Sequence, residues 1–449
     1  MNKIWVVGLF SLLFDVSGIC QGLFESATSE TGDRDTSLVD WNGYTRTWVF
    51  GGGKVYDYAS VFAELAIRPT LVYKSAFFHA DLRVRSGFQF GADTLIIQSK
   101  ELYAGYKQNK WSIYFGNQIV QWGRADGFNP TNNITPNNYF YLSAEPDDQK
   151  ISNTLVRADY FITPQIEFEL IGIPVYKPSV YRYDLFTINP VAQFMPSIKP
   201  KQTYESGSVA GRLNFEFPRT GFSLSYFNGY DPFYGFRIKE LDLQQQTPII
   251  RYIPDFYRKQ TFGGDFSVSA EPMIFRGELA YNQTRNYKNN MYIPNPDLAY
   301  VLGMEFTFLD ITSIFEYVGK HTFDFNALPS VTLIDPSDPE QQLQYFIDRV
   351  NIESSLFNRK IFYQQEENNH AIFLSLSRMF AHETVSIEVS GYHNFTSDEN
   401  LIRGSLKWNI NDAMELRLGE NYMMGPGNSI FDLSGTVFNG AFIEFKVSF

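Results

Sequence analysis

The stretch GAFIEFKVSF, residues 440–449, alternates between apolar and polar side chains. Every second residue from Ala441 to Phe449 is apolar, whereas Glu444 and Lys446 lie between them. Successive side chains of a β-strand point to opposite faces, so this pattern predicts a strand with one apolar and one polar face. A strand at the end of a chain is normally an unpaired edge. This one therefore needs both a partner strand and apolar surroundings.

The same two-residue period recurs along the whole chain. It is found in residues 77–90, 209–217, 273–282, 384–389 and 402–410. In the first of these segments, for example, Leu82 and Val84 alternate with Arg83 and Arg85. The chain is therefore predicted to be all-β, built from many amphipathic strands.

The connections between these strands fall into two length classes. Short turns are predicted near residues 73–75, 108–110, 163–164, 218–220, 270–272, 309–311, 381–382 and 411–413. Long connections are predicted at about 121–152, 174–204, 230–259 and 321–368. Short and long connections alternate, as in an antiparallel meander whose long loops all lie at one end. Counting on this basis gives about 18 strands, with about 16 as the alternative.

A closed membrane barrel accounts for this pattern better than the soluble all-β folds. A β-sandwich rarely reaches so many strands without splitting into domains, and a propeller would show a blade repeat that this sequence lacks. Closure satisfies every backbone group in lipid, with an apolar outer face and a polar lumen. We therefore predict a single transmembrane antiparallel β-barrel with short periplasmic turns and long extracellular loops. Its last strand is expected to pair with the first, near residues 38–50.

The amino terminus predicts an exported protein. Residues 1–20 combine Lys3 with an apolar core at 4–14, which is typical of a signal peptide. Cleavage after Cys20, the one cysteine of the chain, would leave a mature protein without disulfides. Residues 21–37 are polar and are expected to form a flexible lead, followed by the barrel at 38–449.

Composition narrows the class of function. The net charge is −12 and no basic run is present, which argues against nucleic-acid binding. Aromatic residues make up 17% of the chain, an excess that fits the two interfacial girdles of a membrane barrel.

The leader, the alternating strands and the terminal FIEFKVSF (442–449) together resemble a Gram-negative outer-membrane β-barrel of the porin-like kind. This resemblance implies a location in the bacterial outer membrane, contact with outer-membrane lipids, and recognition of the last strand by the barrel assembly machinery. Residues 114–142 also resemble a segment of alginate-export-type barrels and their uncharacterised relatives. The matching residues are Gly116, Trp122, Gly123, Asn129, Pro130 and Asn133. A polyanion channel of that type would have a basic lumen, whereas the polar faces here carry both signs.

Taking the polar face of each strand as inward gives the candidate pore-lining residues. They are Asp81, Arg83, Arg85, Arg157, Asp159, Arg212, Glu216, Arg276, Glu278, Arg403, Lys407 and Arg417. One interpretation is a network of ion pairs between neighbouring strands that stabilises the water-facing inner wall of the barrel. The other is a selectivity site centred on Asp81, Arg83 and Arg85, with Arg157 and Asp159 beside them.

The long connection after the fifth strand is the candidate constriction loop. Its candidate residues are Trp122, Arg124, Asp126, Asn129 and Asn133. Loops of this length are often functional, and this one is expected either to fold into the lumen or to lie on the outer surface.

These observations favour a channel for passive passage of small or oligomeric hydrophilic solutes. No cofactor or metal site is predicted, and no enzyme activity, because no phosphate loop, zinc motif or nucleophile elbow is present. Two alternatives stay open: a transporter for hydrophobic cargo, suggested by the aromatic stretch at 226–236, and a plugged barrel that acts as receptor, adhesin or scaffold. A homo-oligomer is a further expectation.

Overall fold

The computed structural model describes residues 39–449, apart from 187–190, 202, 244–247, 333–334 and 336. The predicted signal peptide at 1–20 and the lead at 21–37 lie outside the described residues. In the described ranges, neither helix has the length and apolar character needed to cross a membrane.

The described part of the chain forms one closed antiparallel sheet of 18 strands. Each strand pairs with the next barrel strand along the chain, and the last pairs with the first. The barrel strands are β1 (Val39–Gly51), β2 (Tyr58–Tyr73), β3 (Ala76–Gln89), β4 (Ala92–Lys107), β5 (Trp111–Gln118), β6 (Asn153–Thr163), β7 (Ile166–Ile173), β9 (Ser208–Phe217), β10 (Thr220–Tyr230), β13 (Arg258–Ala270), β14 (Met273–Thr284), β15 (Asp297–Phe308), β16 (Ile311–Thr322), β17 (Asn368–Phe380), β18 (Val385–Asn394), β19 (Glu399–Asn409), β20 (Met414–Met424) and β21 (Gly440–Ser448). The prediction of a barrel with about 18 strands is confirmed, and the alternative of 16 is wrong.

The terminal strand closes the barrel as the sequence predicted. Residues 441–448 of β21 pair with 44–51 of β1. Two further backbone hydrogen bonds join Gly43 and Phe449, at 2.8 and 2.9 Å. Every barrel strand thus has a neighbour on both sides, which leaves no edge of the barrel sheet facing lipid.

The outer surface of the barrel is apolar along its length. The alternation places Leu95 and Ile97 of β4 outward, where their side chains are 70% and 77% exposed. Large exposed apolar side chains recur on the outward faces of the other strands, for example Leu302 and Leu418. In water such a surface would be unfavourable, so its surroundings are the hydrocarbon of a membrane.

The two ends of the barrel differ in their connections. At the end that holds both described termini, the longest turns are the four-residue turns 381–384 and 410–413. The long connections 119–152, 174–207, 231–257 and 323–367 all lie at the other end, as predicted. That end also has short connections, such as 90–91 and 395–398. It has a further long one at 425–439, which the sequence did not indicate.

The outer connections contain regular structure of their own. A three-stranded sheet is formed by β8 (Ala192–Phe194), β11 (Gly235–Asp242) and β12 (Ile249–Asp255). The helices are α1 (Pro339–Ile361) and α2 (Ile430–Phe438), with 3₁₀ turns at Pro146–Gln149, Tyr183–Leu185, Tyr204–Ser206 and Tyr287–Asn289. Asp338 caps α1 by accepting a hydrogen bond from the Glu340 N–H at 2.9 Å, and Pro339 occupies the first turn.

The small sheet and α1 pack together into what we term the outer cap (β8, β11, β12 and α1). Its core is aromatic and includes Tyr183, Phe236 and Tyr252. Asn358 of α1 accepts from the Phe236 N–H at 2.7 Å and donates to the Phe236 carbonyl at 2.8 Å. Many aromatic side chains of residues 226–236 therefore hold the loops to one another, which removes the observation that suggested a hydrophobic cargo.

Replacing Gly43 should weaken barrel closure. A side chain there would collide with the Ala66 carbonyl and lie 2.8 Å from the Phe449 ring. We expect Gly43→Leu to destabilise the barrel by about 1–3 kcal/mol through overpacking. Urea titration followed by heat-modifiable gel mobility measures this loss. Thr45→Leu, on the lipid-facing side of the same strand, is the control. Equal midpoints for the two variants would contradict the expectation.

Candidate functional site

The connection 119–152, here called the lumen loop, folds into the barrel in two lobes. The first lobe, 119–135, crosses to the far wall. Trp122 Nε1 donates to Glu169 of β7 at 2.9 Å, and Arg124 Nε donates to Asp265 of β13 at 2.6 Å. At its tip, the Phe128 ring contacts aromatic rings of β17 and β18, with ring centroids 6.2 and 5.2 Å apart.

The second lobe, 136–152, follows the opposite side of the wall. Phe140 and Leu142 pack against an aromatic cluster that includes Trp48 of β1. Further along, the Ala144 carbonyl accepts from Arg403 of β19 at 3.0 Å, and Glu145 pairs with Arg417 of β20 at 2.6 Å. The two lobes thus run around the lumen wall from both sides and narrow the space between them.

Two wall carboxylates hold the backbone of the first lobe. Glu278 of β14 accepts from the N–H groups of Arg124 and Ala125 at 2.7 and 2.8 Å, and from Thr131 Oγ1 at 2.8 Å. Glu316 of β16 accepts from the N–H groups of the next two residues, 126 and 127. Gly123 has a φ of +106°, and a Cβ there would collide with the Glu278 carboxylate. A glycine is therefore required where the loop meets this anion.

A buried ion-pair network centred on Arg46 joins the second lobe to the barrel. Arg46 is only 2% exposed and pairs with Glu64 at 2.6 Å, Asp148 at 2.7 Å and Glu444 at 3.2 Å. These carboxylates come from β2, the lumen loop and β21, so the network lies across the seam where the barrel closes. Five charges extend it: Arg83 and Arg85 bind Asp148 and Glu64, Lys100 donates to loop carbonyls, and Arg68 and Asp81 complete the group.

The lumen loop contributes an ionised carboxylate to this network. Burial by itself would raise the pKa of Asp148, but the guanidinium groups of Arg46 and Arg83 hold that pKa well below its usual range. A carboxyl whose folded-state pKa is lowered stabilises the fold above its unfolded pKa. That stabilisation is lost only as the pH falls through the folded-state pKa of Asp148, so it is fully present at neutral pH.

A second group of charges lies on the strands that follow the lumen loop. Arg157 pairs with Asp159 at 2.9 Å and with Glu169 at 3.0 Å, and Arg212 pairs with Glu169 at 3.1 Å. The described ion pairs do not link this group to Asp81 or Arg83. The single cluster expected from the sequence is therefore two separate groups, because β4 and β5 lie between them in the wall.

The remaining candidates lie on the inner wall or in the lumen loop, mostly in ion pairs. Arg124 binds Glu216 at 2.5 Å, and Arg276 binds Asp126 at 2.6 Å. Lys407 pairs with Glu415 at 3.2 Å. In the loop, Asn129 Nδ2 donates to Glu278 at 2.9 Å, and the buried Asn133 donates to the Thr131 carbonyl at 3.1 Å.

Sequence reasoning missed four residues that organise the site: Arg46, Lys100, Asp148 and Glu316. Arg46 was missed because Thr45 and Thr47 on the opposite face of β1 hide the polar alternation. Asp148 lies outside the strands and carries no periodic signal. The partners of both residues come from distant parts of the chain.

The acidic and basic side chains of the lumen wall are nearly equal in number, but they are unevenly distributed around the lumen. On the wall from β19 through β1 to β4, basic side chains outnumber acidic ones. They are Arg46, Arg68, Arg83, Arg85, Lys100, Arg403, Lys407, Arg417 and Lys446. On the wall from β7 to β18 the acidic side chains dominate. They are Glu167, Glu169, Glu216, Asp265, Glu278, Asp297, Glu305, Glu316 and Glu388. Carboxylates of the lumen loop offset part of the basic excess, since Asp148 pairs with Arg46 and Glu145 pairs with Arg417. The uneven distribution of the wall charges predicts an electric field across the lumen.

In the described ranges, no group of three or more His, Cys, Asp or Glu side chains is placed to hold a metal ion.

Comparison with solved structures identifies the architecture. OccAB3 of Acinetobacter baumannii aligns with a TM-score of 0.51 and 10% identity, over 92% of this chain and 98% of that one. OccK5 (OpdH) of Pseudomonas aeruginosa aligns with a TM-score of 0.50 and 10% identity, over 92% and 97%. The chain has the fold of the outer-membrane porins.

A third porin-fold structure, OccK2 (OpdF) of Pseudomonas aeruginosa, aligns with a TM-score of 0.51 and 8% identity, over 92% and 97%. No protein-family model and no curated relative matches the chain. At such low identity the porin fold is what these structures share with this chain. The lumen residues must therefore be interpreted from their own geometry.

Removing Arg46 should be strongly destabilising. Arg46→Met leaves Glu64, Asp148 and Glu444 buried without their shared cation, and we expect a loss of about 3–5 kcal/mol. Urea unfolding of the barrel in detergent measures this change. Arg182→Met is the control because its ion pair with Asp184 is exposed and should contribute about 0–1 kcal/mol. Similar unfolding midpoints for both variants would argue against a central role for Arg46.

Removing the charge of Glu278 should release the first lobe. We expect Glu278→Gln to weaken loop anchoring by about 1.5–3 kcal/mol, since hydrogen bonds to a charged acceptor are lost. Hydrogen–deuterium exchange at the backbone N–H groups of Arg124 and Ala125 should become faster in the folded barrel. Glu388→Gln is the matched control, because Glu388 lies on the inner wall and contacts Ser375 of the same wall. Unchanged exchange at these N–H groups in Glu278→Gln would show that the lobe is held by other contacts.

Proposed function

We propose that the chain is an outer-membrane channel for passive passage of small hydrophilic solutes. The observation that carries the proposal is a charged lumen wall that stays in contact with water beside the inserted loop. The side chains of Lys407, Arg68 and Arg157 point inward and are 38%, 35% and 29% exposed. Charged groups at this depth are stable only in a wet interior.

The path for solute runs between the two lobes of the lumen loop. A cavity of about 580 Å³ lies beside the second lobe and is bordered by Arg68, His79, Glu101 and Lys446. A solute entering from the extracellular end would pass the outer cap, cross the narrowed section and leave at the periplasmic end. Transport of this kind is diffusive and requires no cofactor and no catalytic step.

The field across the lumen would orient polar solutes. A molecule that carries both charges can turn its anionic end toward the β19–β4 wall and its cationic end toward the β7–β18 wall. Arg83 and Arg85 are 4% and 5% exposed and are held in ion pairs, so they brace the wall more than they contact solute. Selectivity is assigned instead to exposed lumen charges such as Arg68 on the basic wall and Glu167 on the acidic wall.

The proposed function includes its surroundings. Outer-membrane lipids would cover the apolar surface, and the barrel assembly machinery would recognise β21. Assembly into a homo-oligomer is compatible with the outward faces and stays a prediction.

Conductance in a planar bilayer tests the channel directly. Stable open steps are expected from the folded barrel, and reversal potentials in a salt gradient give its ion selectivity. Arg68→Gln should shift the permeability ratio toward cations by roughly two-fold, because one unit charge at about 8 Å in water is worth about 0.5 kcal/mol. Glu167→Gln should shift it toward anions.

Arg378→Gln is the control for these measurements, since Arg378 lies on the outward face at the periplasmic end, beside Asp310. A shift equal to that of Arg68→Gln would contradict the placement of the filter. A heat-modifiable, folded barrel that stays silent would overturn the channel and favour a plugged receptor or scaffold.

A further inference from the structure

Three of the five histidines lie on the outward face of the barrel at its extracellular end. They are His321 on β16, His370 on β17 and His393 on β18. On each strand the alternation places the histidine in line with lipid-facing residues, such as Phe315, Leu374 and Val389. Histidines in a barrel are more readily expected in the lumen or in turns. In this chain only His79, in the lumen, and His382, in a periplasmic turn, occupy such places.

Each of the three rings is fixed in the same way. The Nδ1 atom is hydrogen-bonded to a polar side chain of an adjacent strand: His321 to Asn368 Oδ1 at 2.8 Å, His370 to Tyr317 Oη at 2.5 Å, and His393 to Asn400 Oδ1 at 2.9 Å. In the described part of the chain, no hydrogen bond involves the Nε2 atom of these rings. Because the three side chains lie on the outward face of their strands, their rings belong to the outer surface of the barrel.

Aromatic rings support the three histidines at this level. His321 lies edge-to-face with Phe323 at 4.9 Å, and His393 lies edge-to-face with Phe395 at 4.6 Å. The ring of His370 stacks on that of Tyr317, with centroids 6.0 Å apart. Aromatic side chains of this kind mark the membrane–water interface, where one end of the ring is apolar and the other is wet.

The three histidines also lie at nearly one height. Residues that are paired across successive strands form a row that runs around the barrel wall. The row that contains His370 passes through β16 and the strands before it and reaches Trp111 of β5, which lies beside a periplasmic turn. From β17 to β5 the row therefore descends from the extracellular end to the periplasmic end. His321 pairs with Asn368, two residues above His370, and His393 pairs with Ile372, two residues below it. This two-residue offset at each step counteracts the slope of the row, so the histidines form a level belt.

We propose that this belt, His321, His370 and His393, binds the phosphate groups of glycolipids in the outer leaflet. Small changes of environment alter the charge of an imidazole near neutral pH, and a nearby phosphate favours its protonated form. With Nδ1 already engaged, Nε2–H would donate to a phosphate oxygen in a charge-assisted hydrogen bond. The partner is a phosphorylated lipid headgroup because the belt lies at the outer membrane interface. The inference rests on that placement and is independent of channel activity.

Lipid binding by the folded, full-length barrel in detergent tests the belt. Native mass spectrometry would count bound bisphosphorylated lipid A during a titration. The variant His321→Gln/His370→Gln/His393→Gln should bind at least about five-fold more weakly, the effect of losing one basic group near a charged surface. The matched control, His79→Gln/His382→Gln, removes the other two histidines and should bind as the unmodified chain does.

Several outcomes would overturn the proposal. Unchanged lipid A binding in the triple variant would do so, as would equal binding of a dephosphorylated lipid A. Displacement of lipid A by equimolar phosphatidylglycerol would exclude glycolipids as the partner. Should the triple variant lose its heat-modifiable folded form, His393→Gln alone should still bind about five-fold more weakly. Binding by that single variant equal to that of the unmodified chain would count against the belt.

Discussion

The pairing of β21 with β1 is the constraint on which the rest of the structure depends. Backbone groups at membrane depth have no water to bind, so a sheet in lipid must leave no free edge. Closure supplies a partner for the final strand and creates a lumen at the same time. The Arg46 network lies beside this seam, because its ligands Glu64 and Glu444 come from the strands on either side of β1.

Charged side chains determine how the lumen loop is held inside the barrel. The wall carboxylates Glu278 and Glu316 take up backbone N–H groups of the lumen loop that would otherwise be unpaired in a confined space. On the opposite side, the loop supplies Asp148 to the buried arginines Arg46 and Arg83. The loop is thus held by ion pairs and charged hydrogen bonds from several strands, while exposed charges remain to contact solute.

The outer connections use a different kind of stabilisation. The outer cap has an aromatic core. In its helix α1, Asn358 accepts a hydrogen bond from the N–H of Phe236 in β11 and donates one to the carbonyl of the same residue. Aromatic side chains therefore serve at least two roles here: they build the cap, and they support the histidine belt. A count of aromatic residues does not distinguish these roles, since each depends on where a residue lies relative to the membrane.

The alternation of strands such as GAFIEFKVSF determined the barrel and the inward faces, because a two-residue period is a local property of the chain. The choice between about 18 and about 16 strands was decided by the structure. The lengths of the connections determined which end carries the long loops. The path of the lumen loop, the central position of Arg46 and the level of the three histidines were decided only by the tertiary structure. Each depends on the register and slope of many strands, which bring together residues as distant as Arg46 and Glu444.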